Sequence, residues 1–485
     1  MSDVDKQMRR AWQRSQAIGR PVLLRLHHKL AACEDPWVLW WQAQHRAAQP
    51  MPFAVFHAAE RQFSAAAWGA VQRLKLPPER RFAAARQICA SLFEQAMDVR
   101  ADGDGTVDID APLAFLSLAL DATPPRAQWG GWGGGQLFVP QVVVYKNAAG
   151  TAAVVVQPVD GRQPQEACVA HASGAAQRTL ESLRRAAVEA RPPAKLCPQA
   201  SPRARALQSR AQWDTQVDRA RQATRGPGLQ KVVLARATRC RVPPGQAFCV
   251  ASTLWRLRAH HPQSITFGMA GPDNTTFVGA TPEVLVEVCG RRLRTQAVAG
   301  TAPRGNDARS DESFGVALMR SAKDRHEHEV VAAALQATLG SLCLELRREA
   351  QPQLVRLPRL QHLNTPFEGQ LRQAGGVLEL IERLHPTPAV GGFPQQDACS
   401  FLRRHEQLER GGYAAPLGFF TAASDGLFAV ALRSMLLHGS VGYGFAGAGI
   451  VAASEPAAEW RETRLKLQTM QDALCMHSAS QCVLA

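Results

Sequence analysis

Tyrosine is scarce in this chain, with three in 485 residues, aromatic residues amount to 6%, and acids are outnumbered 41 to 56 by lysine plus arginine. A net charge of +15 invites a nucleic-acid reading, since clustered cations bind phosphates by counterion release. The aromatic interleaving that single-strand binding uses is missing. Arginines are scattered from Arg9 to Arg464, densest between Arg178 and Arg225. The expectation is a solvated basic face that attracts small anions, with no nucleic-acid partner. No CxxC pair occurs and the eleven cysteines are odd in number, which argues for reduced thiols rather than a disulfide framework. No long hydrophobic run is present either: Gly442 to Ala453 is Gly- and Ala-rich and shorter than the ~18 residues of a membrane span. The opening residues are basic without an apolar stretch, and Asp3 and Asp5 count against a transit peptide. A cytoplasmic protein with no membrane association is expected. The closing Cys482-Val-Leu-Ala485 has the form of a prenylation box, but with no polybasic run upstream it reads as a chance match.

What is present is a chain that is 46% hydrophobic and 20% charged, too long and too apolar for a tail or linker. From Arg9 to about Met97 it reads as Ala-, Gln- and Arg-rich amphipathic pieces. Short apolar runs follow from Pro112 to Val144, with Trp129 to Gly135 as a glycine-rich loop and Leu137 to Tyr145 as a strand. A helix is predicted over Gln177 to Ala190 and a polar one over Ala204 to Ala223. Between them Pro192, Pro193, Pro198 and Pro202 mark a connection, and with Gly226-Pro-Gly228 they form the best candidate boundary. Residues 1–205 are therefore read as one part and 206–475 as another. Beyond it, strand-like runs at Lys231–Ala235, Phe277–Ala280, Val284–Val288 and Leu427–Leu432 alternate with helices over Ser313 to Leu346 and Glu459 to Leu474. Strands grouped between helices favour an α+β fold over a doubly wound sheet.

Three constellations bear on chemistry. Gly442-Tyr-Gly444-Phe-Ala-Gly447 fits GxGxxG, but no helix opens at its third glycine and no acid ends a following strand, so a dinucleotide site is disfavoured. A glycine-rich turn with N–H groups facing a small anion is more economical. Asp324 with Glu327, and Glu459 with Glu462, are carboxylate pairs at i,i+3 on single helix faces. Facing each other they could hold Mg²⁺, although from spacing alone surface ion pairing with Lys323, Arg325, Arg461 and Arg464 is favoured. Lys231 opens one apolar run and Glu283 another. Lys231 could snorkel at a sheet edge, or act as a base if desolvated, and a buried Glu283 could act as an acid. Composition leaves these open.

A run of motifs spanning about half the chain resembles the chorismate-utilising enzymes, the family of isochorismate, salicylate, anthranilate and aminodeoxychorismate synthases. They are Lys231-Val-Val-Leu-Ala-Arg236, Phe277-Val-Gly-Ala-Thr-Pro-Glu283, Ala299-Gly-Thr-Ala-Pro-Arg-Gly305, Lys323-Asp-Arg-His-Glu-His328, Leu360-Gln-His-Leu363, Leu384-His-Pro-Thr-Pro-Ala-Val390, Glu409-Arg-Gly-Gly-Tyr413, Ala431-Leu-Arg-Ser434, Ala446-Gly-Ala-Gly-Ile-Val451 and Glu459-Trp-Arg-Glu-Thr463. Before Lys231 the match thins to Ala111-Pro-Leu113 and Leu137-Phe-Val-Pro140.

The resemblance implies a large single α+β domain with two face-to-face β-sheets and outer helices, the N-terminal part contributing to the same fold and the proline-rich stretch lying on the surface. It implies Mg²⁺ held by Glu327, Glu459 and Glu462, with Asp324 nearby, gripping the ring carboxylate of chorismate. Thr301, Tyr413, Arg433, Lys466 and the backbone of Gly447 and Gly449 would hold the substrate's carboxylates. His362 would orient the pocket, although a satisfied core histidine fits as well. Lys231 stands where ammonia-using members carry glutamine, which implies water as nucleophile, Lys231 as base and Glu283 as acid on the leaving 4-hydroxyl. Ala299 stands where aminodeoxychorismate synthases carry a lysine nucleophile, and Ala389-Val390 resembles isochorismate rather than salicylate synthases. The implied enzyme is an isochorismate-forming isomerase acting as a monomer without a glutamine amidotransferase subunit. A salicylate synthase is the runner-up, and an anthranilate synthase component I-like enzyme is more distant.

Overall fold

The computed structural model describes residues 3–30, 33–100, 111–125, 127–193, 196–197, 202–373 and 375–474. The C-terminal Cys482-Val-Leu-Ala485 and Pro198 lie outside these. The described strands, 21 of them, form one hydrogen-bonded network that divides into two sheets. The first runs through Ala96–Arg100, Val22–Lys29, Gly150–Val159, Gly135–Asn147, Phe63–Lys75, Phe53–Ala58, Ile265–Ala270, Thr275–Thr281, Ser434–His438, Val441–Ile450 and Lys231–Arg241. The second runs through Pro112–Leu118, Pro416–Thr421, Gly426–Val430, Val284–Cys289, Arg292–Pro303 and Leu360–Leu371. Strand Gly135–Asn147 joins them, because its first residues pair with Pro112–Leu118 and its later ones with Gly150–Val159.

The sheets face each other across a core in which Phe56 and Phe63 of the first meet Phe419 of the second, at ring-centre distances of 5.6 and 4.7 Å. Burying such aromatic surface is a main source of folding free energy. Helices lie outside: Pro36–Arg46 and Val250–His260 bury Trp37 and Trp255 in a second apolar cluster. This is the α+β arrangement of two face-to-face sheets with outer helices. Strands from the first part of the chain pair with strands from the second, Phe53–Ala58 with Ile265–Ala270 and Pro112–Leu118 with Pro416–Thr421.

Local readings of secondary structure need correction. The amphipathic N-terminal pieces alternate with strands, because Val22–Leu26 and Phe53–Phe56 are buried on both faces and show no period. The helix over 313–346 breaks at Ser321, which caps a new helix by accepting from the Asp324 N–H at 3.2 Å. The residues predicted to begin a helix at Ala204 form a short strand, Arg203–Ala206, and the helix starts at Arg210 behind a Ser209–Gln212 capping box. The glycine-rich turn at 442–447 is strand Val441–Ile450, laid along Lys231–Arg241 over ten residue pairs.

Candidate active site

Strand Lys231–Arg241 lies between Val441–Ile450 and the short Gly392–Phe393 strand, which pairs with its first two residues. This location carries the Lys231 side chain into the interior, where it is 1% exposed, so it does not snorkel at an edge. Its Nζ is 3.0 Å from Glu327 Oε1, on helix Ala322–Gly340. Burial pushes the Glu327 carboxyl up, but contact with Lys231 and the nearness of Lys323 and Lys466 outweigh it and hold the group below its ordinary range. The pair fits because residue 449 is glycine: a Cβ there would lie 2.1 Å from Glu327 Oε1 and 2.8 Å from Lys231 Cε.

Helix Pro456–Leu474 supplies the remaining predicted carboxylates. Glu459 is buried and accepts from Lys323 at 2.8 Å, while Glu462 meets Lys466, 2.5 Å away, which also donates to the Gly447 carbonyl at 2.9 Å. Burial, then repulsion from Glu462, raises Glu459 despite Lys323. The ion pairing is not the surface pairing expected from spacing: the pairs are largely buried, and of the cations expected there Lys323 takes part, joined by Lys231 and Lys466. The helix is fastened by Arg236, whose guanidinium stacks 3.8 Å from the Trp460 ring centre and donates to Thr463 Oγ1 at 2.7 Å. Among the described residues no three His, Cys, Asp or Glu side chains converge as a ready-made metal cluster. The donor chemistry nonetheless suits Mg²⁺: hard carboxylate oxygens from two helices, with repulsion between Glu459 and Glu462 that a cation would relieve. Asp324 stands beside them with Ser321 donating to its carboxylate, and burial raises it.

A second group of side chains faces this one. Glu283 follows Pro282 just ahead of strand Val284–Cys289 and is 3% exposed. Burial pushes its carboxyl up to about 7 against the pull of Lys231, Arg433 and Lys466, which makes it able to carry a proton near neutrality. Arg433, buried with a left-handed φ of 47°, donates to His362 Nε2 at 2.9 Å. Burial and the two nearby cations, Arg433 and Lys466, hold His362 well below its ordinary value. The ring is thus neutral, and with Nε2 accepting, its Nδ1–H donates to the Gly300 carbonyl at 3.1 Å. Thr301 Oγ1 is 3.2 Å from the same nitrogen, placed opposite His362 where the ladder between Arg292–Pro303 and Leu360–Leu371 slips at Gly300.

Tyr413 is buried, stacked 5.4 Å from Phe445, and its phenol is pushed up to about 12 by burial. A Cβ on Gly447 would come within 3.0 Å of its hydroxyl. The Tyr413 loop rests on Trp129, since Gly411, at φ +52°, places its Hα where a Cβ would be 2.1 Å from the indole. Trp129 belongs to a 3₁₀ helix, Ala127–Trp132, so the glycine-rich segment is part of the support rather than a plain loop. Ala389 lies in the turn closed by Val390 N–H to Thr387 O at 3.1 Å and packs against the apolar cluster that contains Tyr413 and Ala299.

One important feature drew no role from the sequence. Arg410 is fully buried, pairs with Glu406 through two bonds of 2.6 and 2.7 Å, and donates to Val390 O and Val233 O at 2.9 and 2.5 Å. Glu406 in turn accepts from Ala235 N–H at 2.8 Å. The pair ties the Lys231 strand to the Ala389 turn. Its i,i+4 spacing was visible, but burial of that spacing was not.

A family model described as chorismate binding enzyme matches residues 7–475. The chain belongs to this family of chorismate-binding enzymes. Among the family's curated proteins it is 45% identical over 271 residues to a salicylate biosynthesis isochorismate synthase of Pseudomonas aeruginosa, a match covering 55% of each chain. It is 34% identical over 366 residues to isochorismate synthase MenF of Bacillus subtilis, covering 75% of this chain and 74% of that protein. The solved structure of MenF, the menaquinone-specific isochorismate synthase from Escherichia coli, superposes with a TM-score of 0.74 at 23% identity over 96% of this chain and 99% of that one. Anthranilate synthase component I from Streptococcus pneumoniae has the same fold, with a TM-score of 0.67 at 19% identity over 84% of this chain and 92% of that one.

Proposed function

We propose that this chorismate-binding enzyme is an isochorismate synthase that adds water at ring carbon 2 of chorismate and removes the 4-hydroxyl. The observation that carries the reading is the pairing of roles around Lys231: a buried lysine, and a buried Glu283 whose carboxyl is pushed up to about 7 by that burial. In the resting pair with Glu327 Lys231 is an ammonium; in the proposed reaction it first releases that proton to solvent, the free amine then accepts a proton from the attacking water, and protonated Glu283 delivers one to the leaving hydroxyl, so the product is an isomer of the substrate. Arg433, held by neutral His362, presents its planar fork to one substrate carboxylate. Tyr413, Thr301, Lys466 and the bare backbone at Gly447 and Gly449 orient the substrate. Mg²⁺, when held by Glu327, Glu459 and Glu462 with Asp324 beside them, would supply positive charge to the ring carboxylate.

Water as nucleophile removes the need for an ammonia-supplying subunit, and the enzyme acts as a cytoplasmic monomer. No helix among the described residues is long and apolar enough to cross a membrane. Of the pathways that draw on isochorismate, the Pseudomonas relative favours salicylate formation. The test is incubation with chorismate, with and without Mg²⁺, followed by proton NMR and a pyruvate assay. Mg²⁺-dependent isochorismate without pyruvate is expected. Stoichiometric pyruvate with salicylate would make the enzyme a salicylate synthase, and no turnover would refute both.

A further inference from the structure

The strand that begins at buried Lys231 ends in an unusual way at Arg241. Alongside its last residues runs the edge strand Arg203–Ala206, all four residues of which are exposed. The register sets Arg203 opposite Arg241 and Arg205 opposite Arg239. Directly opposed residues share a face with their Cβ atoms about 5 Å apart, where like charges repel. The two arginine rows are about 7 Å apart along the strands. Among the described residues no hydrogen bond or ion pair engages any of these four guanidinium groups.

Charge on an edge strand discourages sheet-to-sheet aggregation, and this accounts for Arg203 and Arg205. It does not account for Arg239 and Arg241, because an acid at either position would leave the edge charged and relieve the repulsion. No further strand pairs with the outer side of Arg203–Ala206 among the described residues. The aromatic side chain beside these pairs, Tyr443, is half-buried and offers no stacking platform for bases.

We propose that this edge docks an extended, acidic segment of a partner protein, which adds as a further strand next to Arg203–Ala206. Acidic residues at alternate positions of such a segment fall on one face at the 7 Å spacing of the arginine rows, to within about an ångström. The main chain of the segment completes the ladder while its carboxylates neutralise both Arg–Arg pairs. The site lies eight residues along the strand from Lys231, on the order of 27 Å, so docking leaves the catalytic chamber open.

The test is fluorescence anisotropy of the full-length protein with a labelled decapeptide alternating glutamate and valine, and with a second peptide of the same composition whose glutamates form one block. The alternating peptide is expected to bind at least about tenfold tighter than the blocked one, and to weaken by about tenfold or more between about 0.05 and 0.5 M salt. Arg203→Gln with Arg205→Gln, and separately Arg239→Gln with Arg241→Gln, should each cost about tenfold or more. Arg178→Gln with Arg185→Gln, two exposed arginines elsewhere, should cost less than about twofold. Retained chorismate turnover would show that the variants are folded. Equal binding of the two peptides, an equal loss from the Arg178 and Arg185 control, or tighter binding of a single-stranded oligonucleotide or anionic vesicles would each overturn the proposal.

Discussion

Glu283 and Glu327 both lie close to Lys231, both are removed from water, and they ionise in opposite senses. Glu327, on a helix, is in contact with the ammonium at 3.0 Å and is held below its ordinary range. Glu283, ahead of a strand, feels the same ammonium only through space, and burial takes its carboxyl up to about 7. Contact with Lys231, helped by the nearness of Lys323 and Lys466, makes one carboxylate an anion, while the other, without such contact, is left as an acid. A site that moves protons at neutral pH needs this separation.

Removing the shared cation tests the comparison most severely. Lys231→Ala takes away the proposed base and leaves Glu327 buried without its contact partner. Isochorismate formation should fall by about 10³-fold or more, read by product NMR. Retained turnover would remove Lys231 from the mechanism. Glu283→Gln should follow, with a loss of about 10²-fold or more and disappearance of the activity decline that wild type should show as pH rises through about 7. The stability of this variant offers an independent check. A carboxyl raised from 4.5 to about 7 by folding favours the native state below 4.5 and loses that advantage as pH rises through about 7. Glu283→Gln should therefore be more stable than wild type at pH 8, relative to their difference at pH 4, by roughly 3 kcal/mol in denaturant melts. No change between the two pH values would mean that Glu283 is not desolvated.

How much of this was legible beforehand depended on whether a residue's surroundings are local. The helical faces carrying Glu327 and Glu462 were readable from i,i+3 spacing, and the α+β class from grouped strands. Lys231 as the partner of Glu327, and Glu459 as the acid that Lys323 meets, were not, because both contacts are made across long sequence separations. Period-based reading failed in the N-terminal part, where strands buried on both faces carry no alternation, and at 442–447, where glycines that suggest a turn are there to admit Met435 and Tyr413 against a strand. The break at Ser321 was signalled by a serine three residues before Asp324, but the apolar spacing on either side masked it. The ordered motifs pointed to the family because each is a local fragment of a contact made elsewhere in the chain. Arg410 illustrates the limit: it stands inside one of those motifs, yet its hold on Val233 and Val390 is a property of the folded chain alone.

His362 provides the smallest and most discriminating effect. Its neutral ring is fixed at both nitrogens, donating to Gly300 and accepting from Arg433, so it has no proton to give and no free lone pair with which to take one. Its contribution should be to aim Arg433. His362→Gln, whose amide can still accept from the guanidinium, should therefore raise KM for chorismate only a few-fold, whereas His362→Ala should raise it about tenfold, equivalent to one lost charge-assisted hydrogen bond. In both variants kcat should change less than KM, because the interaction is made with bound substrate as much as with the transition state. Steady-state kinetics separates the cases: a fall in kcat of about 10²-fold or more with KM unchanged would place His362 among the proton-transfer groups. The division of labour between Lys231 and Glu283 would then have to be redrawn around the imidazole.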